Sequence, residues 1–272
     1  MVRAKAPRPP IAGMFALFLL ARTRKVEGEE AKSRHMVKGW DGIAAWCLAR
    51  IPPAPYGMFM SIPDFSGRTI AIDFETATEA RASACSIGLA FIESGRVVRI
   101  EERLIRPPQN RYSPFNIAIH GIRPEHTAHA PDFAEVMAEF VGDFEGARMI
   151  AHNASFDFSV LRASLDLCGF DYPDVSYLCS VKLAQRHWPD LGSHRLNVLA
   201  AHLGLTFLHH NAAEDARICA EACLAMAVEA EVEDLFELAV KHGLNPGRLH
   251  RQGYDACSFA RKPKRKQVAL QA

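Results

Sequence analysis

The 272-residue sequence lacks the patterns that mark several common kinds of site. Its seven cysteines include no Cys-x-x-Cys pair, so a zinc cluster is not indicated. Buried, reduced thiols in a cytosolic protein are expected instead. No Gly-x-Ser-x-Gly stretch occurs, which argues against a serine hydrolase of the α/β type. No internal period of the kind seen in repeat proteins is present either.

The sequence also lacks an apolar run long enough to cross a membrane. The run at 11–21 is too short for a bilayer, and no small-residue cleavage site follows it. We therefore expect neither a membrane partner nor secretion. A cytoplasmic location is expected instead. Residues 1–64 are expected to be a poorly structured extension; a gene-start artefact, with Met58 or Met60 as the true start, is the alternative.

Charge is unevenly distributed, although the formal net charge is only +1. Residues 65–260 carry 17 basic and 26 acidic side chains, whereas residues 261–272 carry five basic side chains and no acid. An acidic domain that handles a polyanion needs metal ions or local basic rims. The sequence predicts a folded domain at 65–245 and a basic tail at 246–272, which either contacts phosphates or is solvated.

The pattern of apolar residues from residue 67 onward predicts an α/β protein with a mixed sheet flanked by helices. A short β-rich run at 68–74 precedes a predicted hairpin at 84–107. The apolar residues of 133–144 recur at helical spacing, and helices are also predicted at 156–170, at 196–205 and, as one or two helices, at 212–242.

Four acidic side chains lie at the edges of these predicted elements. Asp73 and Glu75 are two positions apart on a strand, so they share a face, while Asp157 and Asp215 each lie near a helix start. Each position has an ordinary explanation: a solvated strand end for the pair, and a favourable helix-dipole interaction for each aspartate. Together, four converging carboxylates could bind two Mg²⁺ or Mn²⁺ ions, the arrangement used for displacement at phosphorus.

The stretches AIDFETAT (71–78), AHNASFDF (151–158) and HHNAAEDA (209–216) resemble the three motifs of the DEDDh 3′→5′ exonucleases, the DnaQ-like group. IHGI (119–122) also resembles a stretch of that group, and the likeness covers about residues 68–230. The resemblance implies a ribonuclease H-like fold and hydrolysis of nucleotides from a 3′ end. It also implies two divalent ions bound by Asp73, Glu75, Asp157 and Asp215.

Three histidines compete for the role of general base. The resemblance assigns it to His210, five positions before Asp215; Asn211 at the next position excludes the tyrosine subtype. A neutral imidazole can accept a proton from water near pH 7. His209 and His152 are expected to be packed, solvent-facing or turn-stabilising residues, and spacing alone does not separate the three.

Thr76, His120 and Phe156 are the predicted substrate contacts, with base stacking or core packing both open for Phe156. The expected partner is the 3′ end of single-stranded or frayed DNA, with a replication or repair protein as a further partner. Two alternatives remain: an RNA 3′→5′ exonuclease resembling RNase T or oligoribonuclease, and a non-catalytic nucleic-acid-binding module.

Overall fold

Residues 68–260 are described by the structure, a computed structural model. The predicted extension at 1–64 and residues 261–272 of the predicted tail lie outside the described residues. Nine strands are assigned within 68–260: β1 Thr69–Thr76, β2 Ala84–Glu93, β3 Arg96–Leu104, β4 Arg148–Ala151, β5 Val175–Cys179, β6 Leu244–Asn245, β7 Gly247–His250, β8 Gly253–Asp255 and β9 Ser258–Phe259.

Eight α-helices connect or cover these strands within the same part of the chain. They are α1 Pro114–His120, α2 Pro124–Thr127, α3 Phe133–Phe144, α4 Asp157–Cys168, α5 Ser180–His187, α6 Leu196–His202, α7 Ala212–Glu229 and α8 Leu235–Lys241. None of the helices within 68–260 has the length and apolar character needed to cross a bilayer.

Seven strands form one mixed sheet in the order β3-β2-β1-β4-β5-β7-β8. The β1–β2–β3 meander is antiparallel, β1, β4 and β5 are parallel, and β7 and β8 return antiparallel to β5. The short strands β6 and β9 pair separately. The predicted α/β class with a mixed sheet flanked by helices is confirmed.

The local sequence explains the helix positions. Six apolar residues at helical spacing in α3 are buried, and Asp132 and Glu135 form a reciprocal capping box at its start. Gly169 ends α4 in the left-handed conformation that glycine adopts without strain. The predicted helical stretch at 212–242 forms two helices, because Asp234 caps the start of α8.

The structure differs from the sequence-based expectation at the C-terminal end. Residues from 246 onward were expected to form a tail, but Gly247–His250 and Gly253–Asp255 are the outer two strands of the sheet. Tyr177 of β5 explains why β7 can pair there: its ring covers Gly247, whose missing side chain leaves the space. The folded domain therefore continues past residue 245.

Helix α7 lies across β1, β2 and β3 and comes unusually close to the sheet at Gly88 of β2. A Cβ atom at Gly88 would lie 1.9 Å from the backbone oxygen of Ala212, in the first turn of α7. Only glycine permits this approach, since any other side chain would overlap the helix backbone.

We predict that Gly88→Ala destabilises the protein by about 3 kcal/mol, because a methyl group inserted into a packed contact forces the helix off the sheet. Gly142→Ala is the matched control: Gly142 lies in α3, is exposed and has open space around its Cβ position. That change should stabilise the protein by about 0.5–1 kcal/mol. Denaturant unfolding measures both; equal stability of the two variants would contradict the close packing at Gly88.

Candidate active site

Three segments of the chain bring the four predicted acidic side chains together. Asp73 and Glu75 come from β1, Asp157 is the first residue of α4, and Asp215 is the fourth residue of α7. Carboxylate oxygens of Asp73, Glu75 and Asp215 all lie within 4.8 Å of one another. Asp157 adjoins them, because its Oδ1 atom accepts a hydrogen bond from the backbone N–H of Phe74, between the two β1 acids, at 3.0 Å.

The two helix-start aspartates do not act as ordinary caps. Phe156 precedes α4 without a side-chain cap, and the cap of α7 is Asn211, which accepts from the N–H of Glu214. Instead, the Oδ2 atom of Asp157 and the Oδ1 atom of Asp215 are buried and have no hydrogen-bond partner among the described residues. Buried, unpartnered carboxylate oxygens are costly unless a cation or a proton satisfies them.

The pKa values of the four carboxyl groups also reflect the cost of burying them close together. Burial, and then the charges of Asp157, Asp215 and Glu75, raise the pKa of Asp73 well above its usual value. Burial is also the main cause that raises the pKa of Glu75 to about 8, of Asp157 to about 8 and of Asp215 to about 7. Two like charges this close repel by about 3–4 kcal/mol at an effective dielectric constant of about 20. Binding of divalent cations would relieve this repulsion.

The donor set fits hard divalent cations. Carboxylate oxygen is the ligand that Mg²⁺ and Mn²⁺ prefer, and the two orphaned oxygens leave coordination positions open. A second group of potential ligand atoms, from His209, His210 and Asp215, also lies within 4.8 Å. It adds nitrogen donors and shares Asp215 with the carboxylate group.

His210 lies at the edge of this cluster, in the loop before α7. Its Nδ1 atom is 3.9 Å from Oε1 of Glu75, its side chain is 41% exposed, and its backbone N–H donates to Oδ2 of Asp215 at 3.3 Å. The backbone has φ of +65°, an uncommon conformation for a residue other than glycine. Partial burial lowers the pKa of His210, which favours the neutral imidazole at pH 7.

The other two histidines have different surroundings. His209 is exposed and stacks on His210, with ring centroids 3.9 Å apart. The Nδ1 atom of His152 lies 2.9 Å from Oγ of Ser180, and burial lowers the pKa of His152 to about 4. Both histidines line a cleft of about 410 Å³ that also reaches Asp73 and Asp215.

The predicted substrate contacts Thr76 and His120 touch each other. The Nε2 atom of His120 lies 3.1 Å from the carbonyl oxygen of Thr76, and Nδ1 of His120 accepts from the N–H of Ile122, so Nε2 is the donor. Asn116 donates to the same carbonyl at 2.8 Å. Thr76 is 6% exposed. These contacts fix the end of β1 directly after Glu75.

Phe156, the third predicted contact, is partly buried against the core, with the Arg81 guanidinium 4.4 Å above its ring centroid. Sequence reasoning did not find Gly88, Asn116, Glu102 or the capping role of Asn211. For Gly88 a signal existed, because an isolated glycine inside an apolar strand marks a close approach of another backbone.

A family model described as an exonuclease matches residues 70–223, more than half of the chain and all four acids. The chain belongs to this exonuclease family. The resemblance to the DnaQ-like 3′→5′ exonucleases is thereby confirmed.

Two relatives illustrate the sequence similarity. The epsilon subunit of DNA polymerase III from Escherichia coli K12 is 31% identical over 173 residues, which are 58% of this chain and 71% of that subunit. The PolC-type DNA polymerase III of Caldanaerobacter subterraneus is 29% identical over 218 residues. That match covers 79% of this chain but only 15% of the polymerase, so the chain corresponds to a small part of that relative.

Solved structures share the fold. Exonuclease X, in complex with 5′ overhanging duplex DNA, superposes with a TM-score of 0.51 at 24% identity, covering 62% of this chain and 98% of that one. The nuclease domain of 3′hExo, a DEDDh family member bound to rAMP, superposes with a TM-score of 0.54 at 15% identity, covering 61% and 94%. The predicted ribonuclease H-like fold is confirmed by these neighbours.

We predict that divalent cations stabilise the protein strongly at pH 8 and weakly at pH 5. The folded-state pKa values of Glu75, Asp157 and Asp215 are raised above the unfolded values of about 4. Without a cation, the stability from these groups is fully present below pH 4 and is lost as the pH rises towards 8. A bound cation replaces the protons, so its effect grows over the same window.

Thermal unfolding with Mn²⁺ or with a chelator, from pH 5 to pH 8, measures this difference. Asp73→Asn should abolish most of the cation-induced rise in Tm, whereas Glu79→Gln, at an exposed acid close to the site in sequence, should leave it unchanged. A rise in Tm that is the same at both pH values would contradict a buried carboxylate site.

Proposed function

We propose that this chain is a metal-dependent 3′→5′ exonuclease that hydrolyses nucleotides from the 3′ end of single-stranded or frayed DNA. The observation that carries the proposal is the convergence of four carboxylates, with His210 at their edge. A decayed, non-catalytic relative would be expected to have lost at least one of these five side chains.

Asp73, Glu75, Asp157 and Asp215 would hold two Mg²⁺ or Mn²⁺ ions. When bound, such ions supply positive charge at the scissile phosphodiester and make water more acidic. The two orphaned oxygens of Asp157 and Asp215 support this ligand set, since each is buried and free to coordinate.

His210 would act as the general base. In its neutral form, which burial favours, the imidazole has one ring nitrogen able to accept the proton of the attacking water. Its position 3.9 Å from Glu75 places it beside the carboxylates without burying it, so it stays accessible to a substrate at the carboxylate cluster. Thr76 and His120 would support the strand end that carries the β1 acids, and Phe156 would contact the substrate from the start of α4.

DNA is the proposed substrate because the E. coli relative, of which 71% is covered, is a subunit of a DNA polymerase. A replication or repair protein is accordingly the class of partner to test. RNA is the alternative, since sugar discrimination depends on the shape of the nucleotide pocket.

We predict that the purified protein shortens 5′-labelled single-stranded oligonucleotides from the 3′ end in Mg²⁺ or Mn²⁺. A chelator and Asp73→Ala should each abolish the ladder of products, because the ions or one of their ligands are lost. Parallel DNA and RNA substrates decide the sugar preference. Binding of both oligonucleotides without any degradation would overturn the proposal and leave a binding module.

We predict that the three histidines differ sharply when each is replaced by alanine. Loss of His210 should lower kcat by about 10²–10⁴-fold, the usual contribution of a general base. His209→Ala and His152→Ala should lower kcat by less than about tenfold, because neither imidazole contacts Glu75 among the described contacts. Single-turnover cleavage of one oligonucleotide measures all three; a larger loss for His209 or His152 than for His210 would contradict the assignment.

A further inference from the structure

A row of three residues across the sheet faces the first turn of α7. The strand register pairs Asp73 of β1 with Gly88 of β2, and Gly88 with Glu102 of β3. Residues directly paired across neighbouring strands point to the same face of a sheet. The backbone of Ala212 lies over the gap at Gly88, so Asp73 and Glu102 lie on opposite sides of the helix start.

Glu102 binds the loop that carries His210. Its two carboxylate oxygens accept from Nδ2 of Asn211 at 3.2 and 3.1 Å, across 109 positions of sequence. Ser86, on the neighbouring strand, donates from Oγ to the Oε1 atom of Glu102 at 3.1 Å. Ser86 thus orients the Glu102 side chain from within the sheet, in the position where it contacts the loop.

Asn211 connects Glu102 both to the start of α7 and to His210. Its Oδ1 atom accepts from the N–H of Glu214 at 3.0 Å and so caps α7, the helix that carries Asp215. Its backbone follows directly on His210, whose φ of +65° is costly for a residue with a side chain. Such a conformation persists only where the surroundings hold it.

The other hydrogen bonds of this loop are local. The N–H of His210 donates to Asp215, and the N–H of Asn211 donates to the carbonyl of Leu208, each within five positions. These contacts join the loop to α7, which itself packs against β2 at Gly88. The contact from Glu102 comes from the same sheet as Asp73 and Glu75, and therefore sets the loop against the carboxylates.

We propose that Glu102 is a positioning residue for the reaction: through Asn211 it holds His210 at its place beside Glu75. The proposal rests on the proposed function for its kinetic consequence. Glu102 is not one of the carboxylates that cluster within 4.8 Å, and its oxygens are occupied by Ser86 and Asn211. It therefore acts through the histidine loop and not as a fifth ligand of a cation.

Steady-state cleavage of a labelled DNA oligonucleotide tests the kinetic consequence. Glu102→Ala should lower kcat by about tenfold with KM changed less than about twofold, since a base displaced by about 1 Å loses much of its effect while the substrate site stays intact. Glu102→Gln should restore most of kcat, because its amide oxygen can accept from Asn211 and its amide nitrogen can donate to Ser86. Glu101→Ala, which removes a neighbouring carboxylate paired with arginines, is the matched control and should change neither constant.

A His210→Ala background separates positioning from general damage. If Glu102 acts through the histidine, adding Glu102→Ala to His210→Ala should lower kcat by less than about twofold. A full tenfold loss in that background, or no rescue by Glu102→Gln, would overturn the proposal.

Hydrogen exchange provides a readout that does not need activity. Glu102→Ala should speed exchange of the Glu214 amide by about tenfold, since its acceptor Asn211 is released, while amides of β1 stay unchanged. Unchanged exchange at Glu214 would overturn the proposal whatever the kinetics. If the wild-type protein cleaves no oligonucleotide but Glu102→Ala speeds exchange of the Glu214 amide as expected, the proposed function fails. The role of Glu102 in holding the loop through Asn211 then still stands.

Discussion

Burial of four carboxyl groups beside one another is the constraint on which this structure depends. Asp73, Glu75, Asp157 and Asp215 are brought together in a largely buried cluster, where burial and neighbouring charge raise their pKa values. Such a cluster is stable where the rest of the molecule holds it in place and protons or cations neutralise its charges. The sheet and helices supply the first condition, and divalent cations are suited to supply the second.

The cluster is held by contacts to backbone more than by contacts between side chains. The Phe74 N–H binds Asp157, and the N–H of His210 binds Asp215. The gap at Gly88 lets the first turn of α7 lie directly on the sheet, which brings Asp215 to the two acids of β1. Glu102, two strands away from Asp73, completes the support on the far side of the same helix turn.

Much of this arrangement could be predicted from the sequence, because it depends on local patterns. Runs of β-forming residues located β1 and the β2–β3 hairpin, helical spacing located α3, and the family motifs pointed to all four acids. The isolated glycine at position 88 indicates a close approach of some backbone, but the identity of the approaching helix and the contribution of Glu102 depend on strand register and helix docking, which no local pattern specifies. The strands β7 and β8 were read as a tail because they are short and largely polar, and their pairing depends on the space over Gly247 beneath Tyr177.

The most direct test of the account is a crystal structure of the protein with Mn²⁺ and a nucleoside monophosphate, with the ions located by anomalous scattering. The account predicts two anomalous peaks, which share the oxygens of Asp73, Glu75, Asp157 and Asp215 as ligands. The imidazole of His210 should lie beside the ions without coordinating either of them. Peaks coordinated by His209 and His210, or a carboxylate cluster without any ion at saturating Mn²⁺, would contradict it.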